Sequence, residues 1–376
     1  MAGIYIHIPF CKQACHYCNF HFSTSLRYKN EFVAALLKEI ELSVETINAT
    51  ADEIIETIYF GGGTPSLLTR EELSTIINTV RTHFTIAADA ELTLEANPDD
   101  ISKERLEEWK AAGINRLSIG IQSFFDEDLQ WMNRAHNAQQ AWQQLQLAQT
   151  FFDNITIDLI YGTPGLSNEK WKQNVEKVIA AGIPHISCYA LTVEPQTPLQ
   201  KLIHQHKKED INADTQSEQF LLLMQWLKEA GYEHYEISNF AKPGWRSRHN
   251  SSYWSGKNYY GFGPSAHSFD GNTRWWNIAN NNIYIQSINE GKLPIEKEIL
   301  TSTQKMNEYI MTSLRTIEGI DLEKIKEVSN QLIIKSKKYI ESGVMIFTDE
   351  KLILTNEGKL LADGIAADLF FDENNA

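Results

Sequence analysis

Cysteines stand at positions 11, 15 and 18, spaced C-x3-C-x2-C, and they are three of only four in the 376-residue chain. Thiols crowded this closely read as metal ligands. Iron–sulfur clusters are normally held by four cysteine sulfurs, so a three-cysteine loop leaves one iron of a four-iron cluster open to a small chelating molecule. Zinc is the competing occupant, with Cys11, Cys15, Cys18 and either His16 or His21 as a tetrahedral set. Zinc spacing, however, usually comes as two separated pairs, and this sequence lacks the second. The fourth cysteine, Cys188, is isolated in an apolar run and reads as a small buried hydrophobe.

Further polar residues stand where they can serve one ligand. Gly61-Gly62-Gly63-Thr64-Pro65 closes an apolar run, and glycines there let backbone amides approach a ligand closely. Glu95, Gln122 and Asp158 each interrupt an otherwise apolar strand-like run. Several polar groups at corresponding strand ends are better explained by convergence on one polar ligand than by separate satisfied core sites. Arg134, in Met-Asn-Arg-Ala-His, is a partner for a carboxylate or an ordinary surface arginine. His249, four residues before Tyr253 and five before Trp254, makes a reasonable heme constellation, since imidazole ligates iron and aromatic rings cover the macrocycle. The alternative is a hydrogen-bonded structural histidine. His267 and His7 are weaker candidates of the same kind.

These residues need elements to position them. Short β-branched runs at 4–8, 54–60, 91–96, 116–121, 155–161 and 185–191 alternate with helical-period segments such as 28–47 and 70–84. Repeated βα units predict an α/β fold with a parallel sheet, and six of them predict a partial (β/α)6 barrel. Its chemistry belongs on the loops after the strand C-terminal ends, which is where each motif falls. A long helix is expected at 211–230, ending a first domain of residues 1–230. Residues 231–300, rich in Trp, Gly, Asn and Tyr without a clean period, read as a connecting, ligand-facing region. From 301 to 376 helices surround a hairpin of 344–347 and 351–354, with a last amphipathic helix carrying Leu360, Leu361, Ile365 and Leu369. This predicts a smaller, mainly helical, winged-helix-like domain with a partner-binding or lid role.

Composition sets the outer limits. A hydrophobic fraction of 42% with 22% charged residues is ordinary globular usage. A net charge of −15 has the wrong sign for a protein that gathers phosphate backbone, so nucleic acid is not expected as a partner. No apolar run approaches the roughly 18 residues of a membrane span, and the first ten residues lack signal-peptide character. A cytoplasmic location is expected, with membrane contact transient if there is any.

The cysteine loop after the first strand resembles that of the radical S-adenosylmethionine (SAM) superfamily. The stretch Tyr5-Ile-His-Ile-Pro-Phe-Cys11 resembles its oxygen-independent coproporphyrinogen III oxidase-like family. That resemblance implies a [4Fe-4S] cluster on Cys11, Cys15 and Cys18, with SAM chelating the open iron and yielding a 5′-deoxyadenosyl radical on reduction. It carries SAM contacts onto Tyr5, Tyr17, Gly63, Thr64, Glu95, Gln122, Arg134, Asp158 and Ala190, undivided between one SAM molecule or two. The oxidases carry one more cysteine two positions after the third cluster ligand, where this chain has Phe20. His249-Asn-Ser-Ser-Tyr253-Trp254 instead resembles the H-N-x-x-Y-W motif of the HemW heme-chaperone branch. The branch implies a heme carrier with His249 as iron ligand, an acceptor protein, and an electron donor such as flavodoxin or ferredoxin. The alternative is a radical SAM oxidoreductase acting on a porphyrin or porphyrinogen, such as an oxygen-independent coproporphyrinogen III dehydrogenase.

Overall fold

A computed structural model describes residues 2–47 and 53–372. Six parallel strands form its centre: β1 (Ala2–Ile8), β2 (Ile54–Gly62), β3 (Thr85–Ala96), β4 (Arg116–Gln122), β5 (Ile155–Tyr161) and β6 (His185–Ala190). They pair in chain order, each joined to the next by a helical crossover. The expected six βα units are therefore present. β3 begins earlier than expected because its first residues pair with the start of β2, and they are mostly exposed and carry no apolar alternation.

The crossover helices follow from sequence. Arg70–His83 opens with a capping box in which Thr69 and Glu72 satisfy each other's backbone amides, and it buries Leu73, Ile76, Ile77 and Val80 along one face. The helix expected at 211–230 spans Ala213–Glu229, with the Asn212 side chain capping it.

Residues 231–300 do more than connect. They supply β7 (Glu233–Glu236), β8 (Asn239–Ala241), β9 (Asn258–Phe262), β10 (His267–Phe269), β11 (Thr273–Asn277) and β12 (Ile295–Ile299). The resulting sheet runs β12-β11-β10-β9-β1-β2-β3-β4-β5-β6-β8-β7. β9 is parallel to β1, whereas β8 runs antiparallel to β6. Strands of three to five residues are too short to show a period, which is why the sequence pattern concealed them.

The C-terminal part has a separate apolar core, including Leu314, Leu332, Leu352 and Leu369. Helices Ser302–Leu314 and Ser329–Glu341 pack on a three-stranded sheet of β13 (Ile320–Asp321), β14 (Met345–Thr348) and β15 (Lys351–Leu354). The two-residue β14–β15 loop, Asp349 and Glu350, has φ values of 49° and 57°, the backbone of a type I′ hairpin turn. The last helix begins at Ala362, so Leu360 and Leu361 precede it and are exposed instead of joining the buried stripe.

Candidate functional site

At the C-terminal ends of the barrel strands lies a cavity of about 750 Å³. Tyr5, Tyr17, Gly63, Thr64, Glu95, Gln122, Arg134, Asp158 and Ala190 all line it, as does Cys18. Residues from six successive strands or the loops beyond them thus share one space, as parallel-barrel geometry requires.

The cysteine loop is pinned on both sides. Cys11 N donates to Ser23 O at 3.0 Å, and Ser23 N returns to Pro9 O at 2.8 Å. Farther along, Gln13 Nε2 donates to Asn133 O and Asn133 Nδ2 to Ala14 O, both at 2.8 Å. This lock brings Arg134 to the sulfurs, with Nη1 3.4 Å from both Cys15 Sγ and Tyr17 Oη. A hydrogen bond from Cys18, with Arg134 beside it, pulls the Cys15 thiol below its ordinary value, while burial pushes Cys11 up to about 11. His16 Nδ1 meets Trp131 O at 3.2 Å and His21 Nε2 meets Asn281 Oδ1 at 2.7 Å. Neither of these bonds involves a thiol, so each histidine has one ring nitrogen committed away from the cysteines. Cys188 lies in the main apolar core.

The cavity wall is built from the strands and the loops beyond them. Arg134 Nη2 donates to Asn97 Oδ1 at 2.7 Å and to Gly120 O at 2.9 Å, and Asn97 Nδ2 donates to Thr64 Oγ1 at 3.2 Å. A register shift in β4 ends on Gln122, whose φ of 67° is a strained left-handed backbone that re-aims its side chain. Burial raises the Glu95 carboxyl to about 8 and the Asp158 carboxyl to about 6. Sequence reasoning missed Asn97, although a polar residue two beyond Glu95 was a usable signal. It also missed Arg315, which reaches the cavity from the C-terminal helices.

These residues fit a cluster and SAM. A Cβ added at Gly63 would stand 2.5 Å from Phe10 O and 2.8 Å from Ile8 O, so the glycine keeps a close-approach cradle open beside the cysteine loop. Arg134 Nε is buried without a partner beside the thiols, where a carboxylate would satisfy it. Acidic lining groups are Glu95, Asp158, Glu194 and Asp363 against Arg134 and Arg315, an excess of carboxyl groups that suits the ammonium and sulfonium of SAM.

Comparisons with known proteins agree with this geometry. Residues 5–178 match the radical SAM superfamily. The heme chaperone HemW of Mycobacterium tuberculosis is 34% identical over 373 residues, covering 98% of this chain and 94% of that one. HemW of Bacillus subtilis is 32% identical, covering 97% and 98%. The chain belongs to the HemW family of heme chaperones. Within the radical SAM superfamily, that membership brings the [4Fe-4S] cluster and SAM as cofactors. Coproporphyrinogen III oxidase HemN from Escherichia coli shares the fold, with a TM-score of 0.84 at 23% identity over 98% of this chain and 90% of that one.

The HemW-type motif lies elsewhere in the barrel. His249 is on the short helix Arg248–Trp254, which plugs the N-terminal end of the strands. Glu91, in β3, accepts Arg248 N and His249 N at 3.1 Å each, fixing the helix start. The imidazole is buried, its Nδ1 2.8 Å from Thr57 Oγ1 and its Nε2 3.0 Å from Tyr253 Oη. Its ring stacks on Tyr59 at 4.9 Å. His249 is not among the residues that line the cluster cavity, and both its ring nitrogens stand within hydrogen-bond distance of protein groups, Thr57 and Tyr253. Motif spacing could not show that residues 249 and 253 face into the barrel. His7 is likewise engaged, by Tyr5 Oη and His21 O, while His267 is exposed beside Trp276.

Proposed function

We propose that this chain binds heme and passes it to an acceptor protein, with a [4Fe-4S] cluster on Cys11, Cys15 and Cys18 and SAM in the barrel cavity governing the cycle. When bound, that pair supplies one-electron cleavage of a sulfonium bond. The chain's own residues do the positioning. Arg134 and Asn97 orient a carboxylate, Glu95 and Asp158 face the cationic end, and Gly63 admits the ligand backbone. Residues 1–230 hold the cluster and SAM, residues 231–300 bring in the heme-facing motif, and residues 301–376 close over the barrel as the partner-binding part. The acceptor and an electron donor, a flavodoxin or ferredoxin, meet the protein from outside, and no nucleic acid is needed.

The observation that carries this reading against porphyrinogen oxidation is Phe20. It lines the cavity mouth, 39% exposed and packed against Phe22 at 5.5 Å between ring centres. An apolar ring there has no proton or thiol to offer a substrate. Protein reconstituted without oxygen and given SAM and reductant is expected to bind heme, read from the Soret band, while leaving coproporphyrinogen III unconverted. Multiple turnovers to protoporphyrinogen IX would establish the oxidoreductase alternative instead.

A further inference from the structure

A second cavity, of about 510 Å³, lies between the outer face of helix Arg248–Trp254 and the C-terminal domain. It is separate from the cluster cavity, because the intervening barrel lumen is filled by Tyr5, Tyr59 and His249, stacked on one another. The helix divides its own side chains: His249 and Tyr253, four apart, face inward, whereas Arg248, Ser251, Ser252 and Trp254 line the second cavity. The opposite wall brings Tyr309, Lys324 and Lys351.

Charge distinguishes the two cavities. The second is lined by five cations, Arg246, Arg248, Lys257, Lys324 and Lys351, against three carboxylates, Glu56, Glu318 and Asp321. Two of the carboxylates are already taken, Glu56 by Lys257 at 2.7 Å and Glu318 by Arg246 at 2.7 Å. The Asp321 side chain is turned to its own backbone, accepting Glu323 N at 3.0 Å. Lys324 and Lys351 form no ion pair among the described residues, the neighbouring Glu323 being taken by Lys326 at 2.6 Å, and Lys324 Nζ stands 5.8 Å from the Tyr309 ring centre. The Trp254 ring is held from one side by the Arg315 guanidinium at 5.2 Å. Ser251 Oγ is buried here without a partner. Uncompensated ammonium groups beside fixed aromatic faces, in a chain of net charge −15, match a flat apolar molecule that carries acid groups.

We propose that this second cavity, and not the cluster cavity, seats the heme, its propionates against Lys324 and Lys351 and its macrocycle against Trp254 and Tyr309. The proposal rests on the heme-carrier reading and assigns it a place. In the cluster cavity Arg315 is already paired with Asp363 at 2.7 Å and Arg134 stands beside Cys15, so a dicarboxylate finds no spare cation there, whereas Lys324 and Lys351 offer two at the opposite end of the barrel. Recognition by charge and stacking does not need the iron, so the seat takes metal-free protoporphyrin IX as well.

The test titrates cluster-reconstituted protein with heme and with protoporphyrin IX, following absorbance and tryptophan fluorescence. Reversal of both lysines, K324E with K351E, is expected to weaken both ligands about tenfold or more and to leave SAM affinity unchanged. The dimethyl ester of protoporphyrin IX, which lacks the acid groups, is expected to bind the wild type as poorly as the free acid binds the reversed protein. If the reversed protein unfolds, K324Q with K351Q makes the same comparison, with a loss of about threefold. Heme binding unchanged in these variants, or an ester that binds as well as the acid, overturns the seat while the carrier reading stands. A wild type that takes up no heme overturns both.

Discussion

Removal of the Glu91 carboxylate should loosen the floor of the barrel, and the size of the effect follows from its partners. Glu91 and Arg116 are 5% and 1% exposed, with Arg116 Nε 3.8 Å from the carboxylate. Glu91→Ala leaves the guanidinium buried without a counter-charge, a change that costs about 3–5 kcal/mol in comparable buried pairs. It also takes the acceptors from Arg248 N and His249 N, at about 1 kcal/mol for a lost cap. A loss of roughly 5 kcal/mol is a large share of the 5–15 kcal/mol typical of a domain. Urea unfolding of the reduced apoprotein, monitored by tryptophan fluorescence, reads it. Hydrogen exchange should rise specifically over residues 248–254. Adding Arg116→Met should recover part of the stability, because no unpaired charge then remains. A Glu91→Ala protein that unfolds within about 1 kcal/mol of wild type, or a double variant no more stable than the single, would refute this role of Glu91.

Gly63→Ala should lower SAM affinity at least about tenfold with the cluster intact, since the new methyl meets backbone at Phe10 and Ile8; calorimetry with visible absorbance as a control checks both. Glu95, held at about 8 by burial, ionises as the pH rises through that value, so SAM binding should tighten between pH 7 and pH 9 and Glu95→Gln should flatten the profile. Glu39 is buried among Tyr284, Asn277 and Gly263 N and is raised to about 7 by that burial. Its folded value exceeds its unfolded one, so its contribution is fully present below about 4.5 and is lost as the pH rises to about 7. The loss is on the order of 3 kcal/mol, and it should vanish in Glu39→Gln when unfolding is measured across that window. Serine at Cys11, Cys15 or Cys18 should abolish bound iron and sulfide after anaerobic reconstitution, whereas Cys188→Ala, in the apolar core, should retain both.

The sequence carried the barrel because its strands are long and apolar enough to show their period, and because Glu95 and Gln122 fall at strand ends while Asp158 interrupts the middle of β5. Glu95, Gln122 and Asp158 could be read as convergent for that reason, and the structure brings them into one cavity. Arg116 was hidden. It opens a strand whose seven residues are all buried, and only tertiary placement beside Glu91 and Thr156 shows why a charge is tolerated there. Arg315 and Lys324 were hidden differently: nothing in a helical stretch past residue 300 says which side chains turn back toward the barrel. The His249 motif was legible as a cluster of types but not as an orientation. A residue's partners on a helix of seven residues depend on which face docks, and docking was decided by Glu91, more than 150 positions earlier.

The two cavities impose a condition on any link between SAM and heme. With Tyr5, Tyr59 and His249 filling the lumen, the ligands cannot touch, so an effect of one on the other must pass through a change in that stack or in the C-terminal helices. Arg315 is the residue that meets both sides: it lines the cluster cavity, pairs with Glu236 at 3.4 Å and Asp363 at 2.7 Å, and holds the Trp254 ring of the second cavity. If SAM alters heme affinity, then heme must alter SAM affinity by the same factor, and Arg315→Ala should diminish both together. Equal diminution would place the coupling in that contact, whereas an undiminished reciprocal effect in the variant would place it in the aromatic stack.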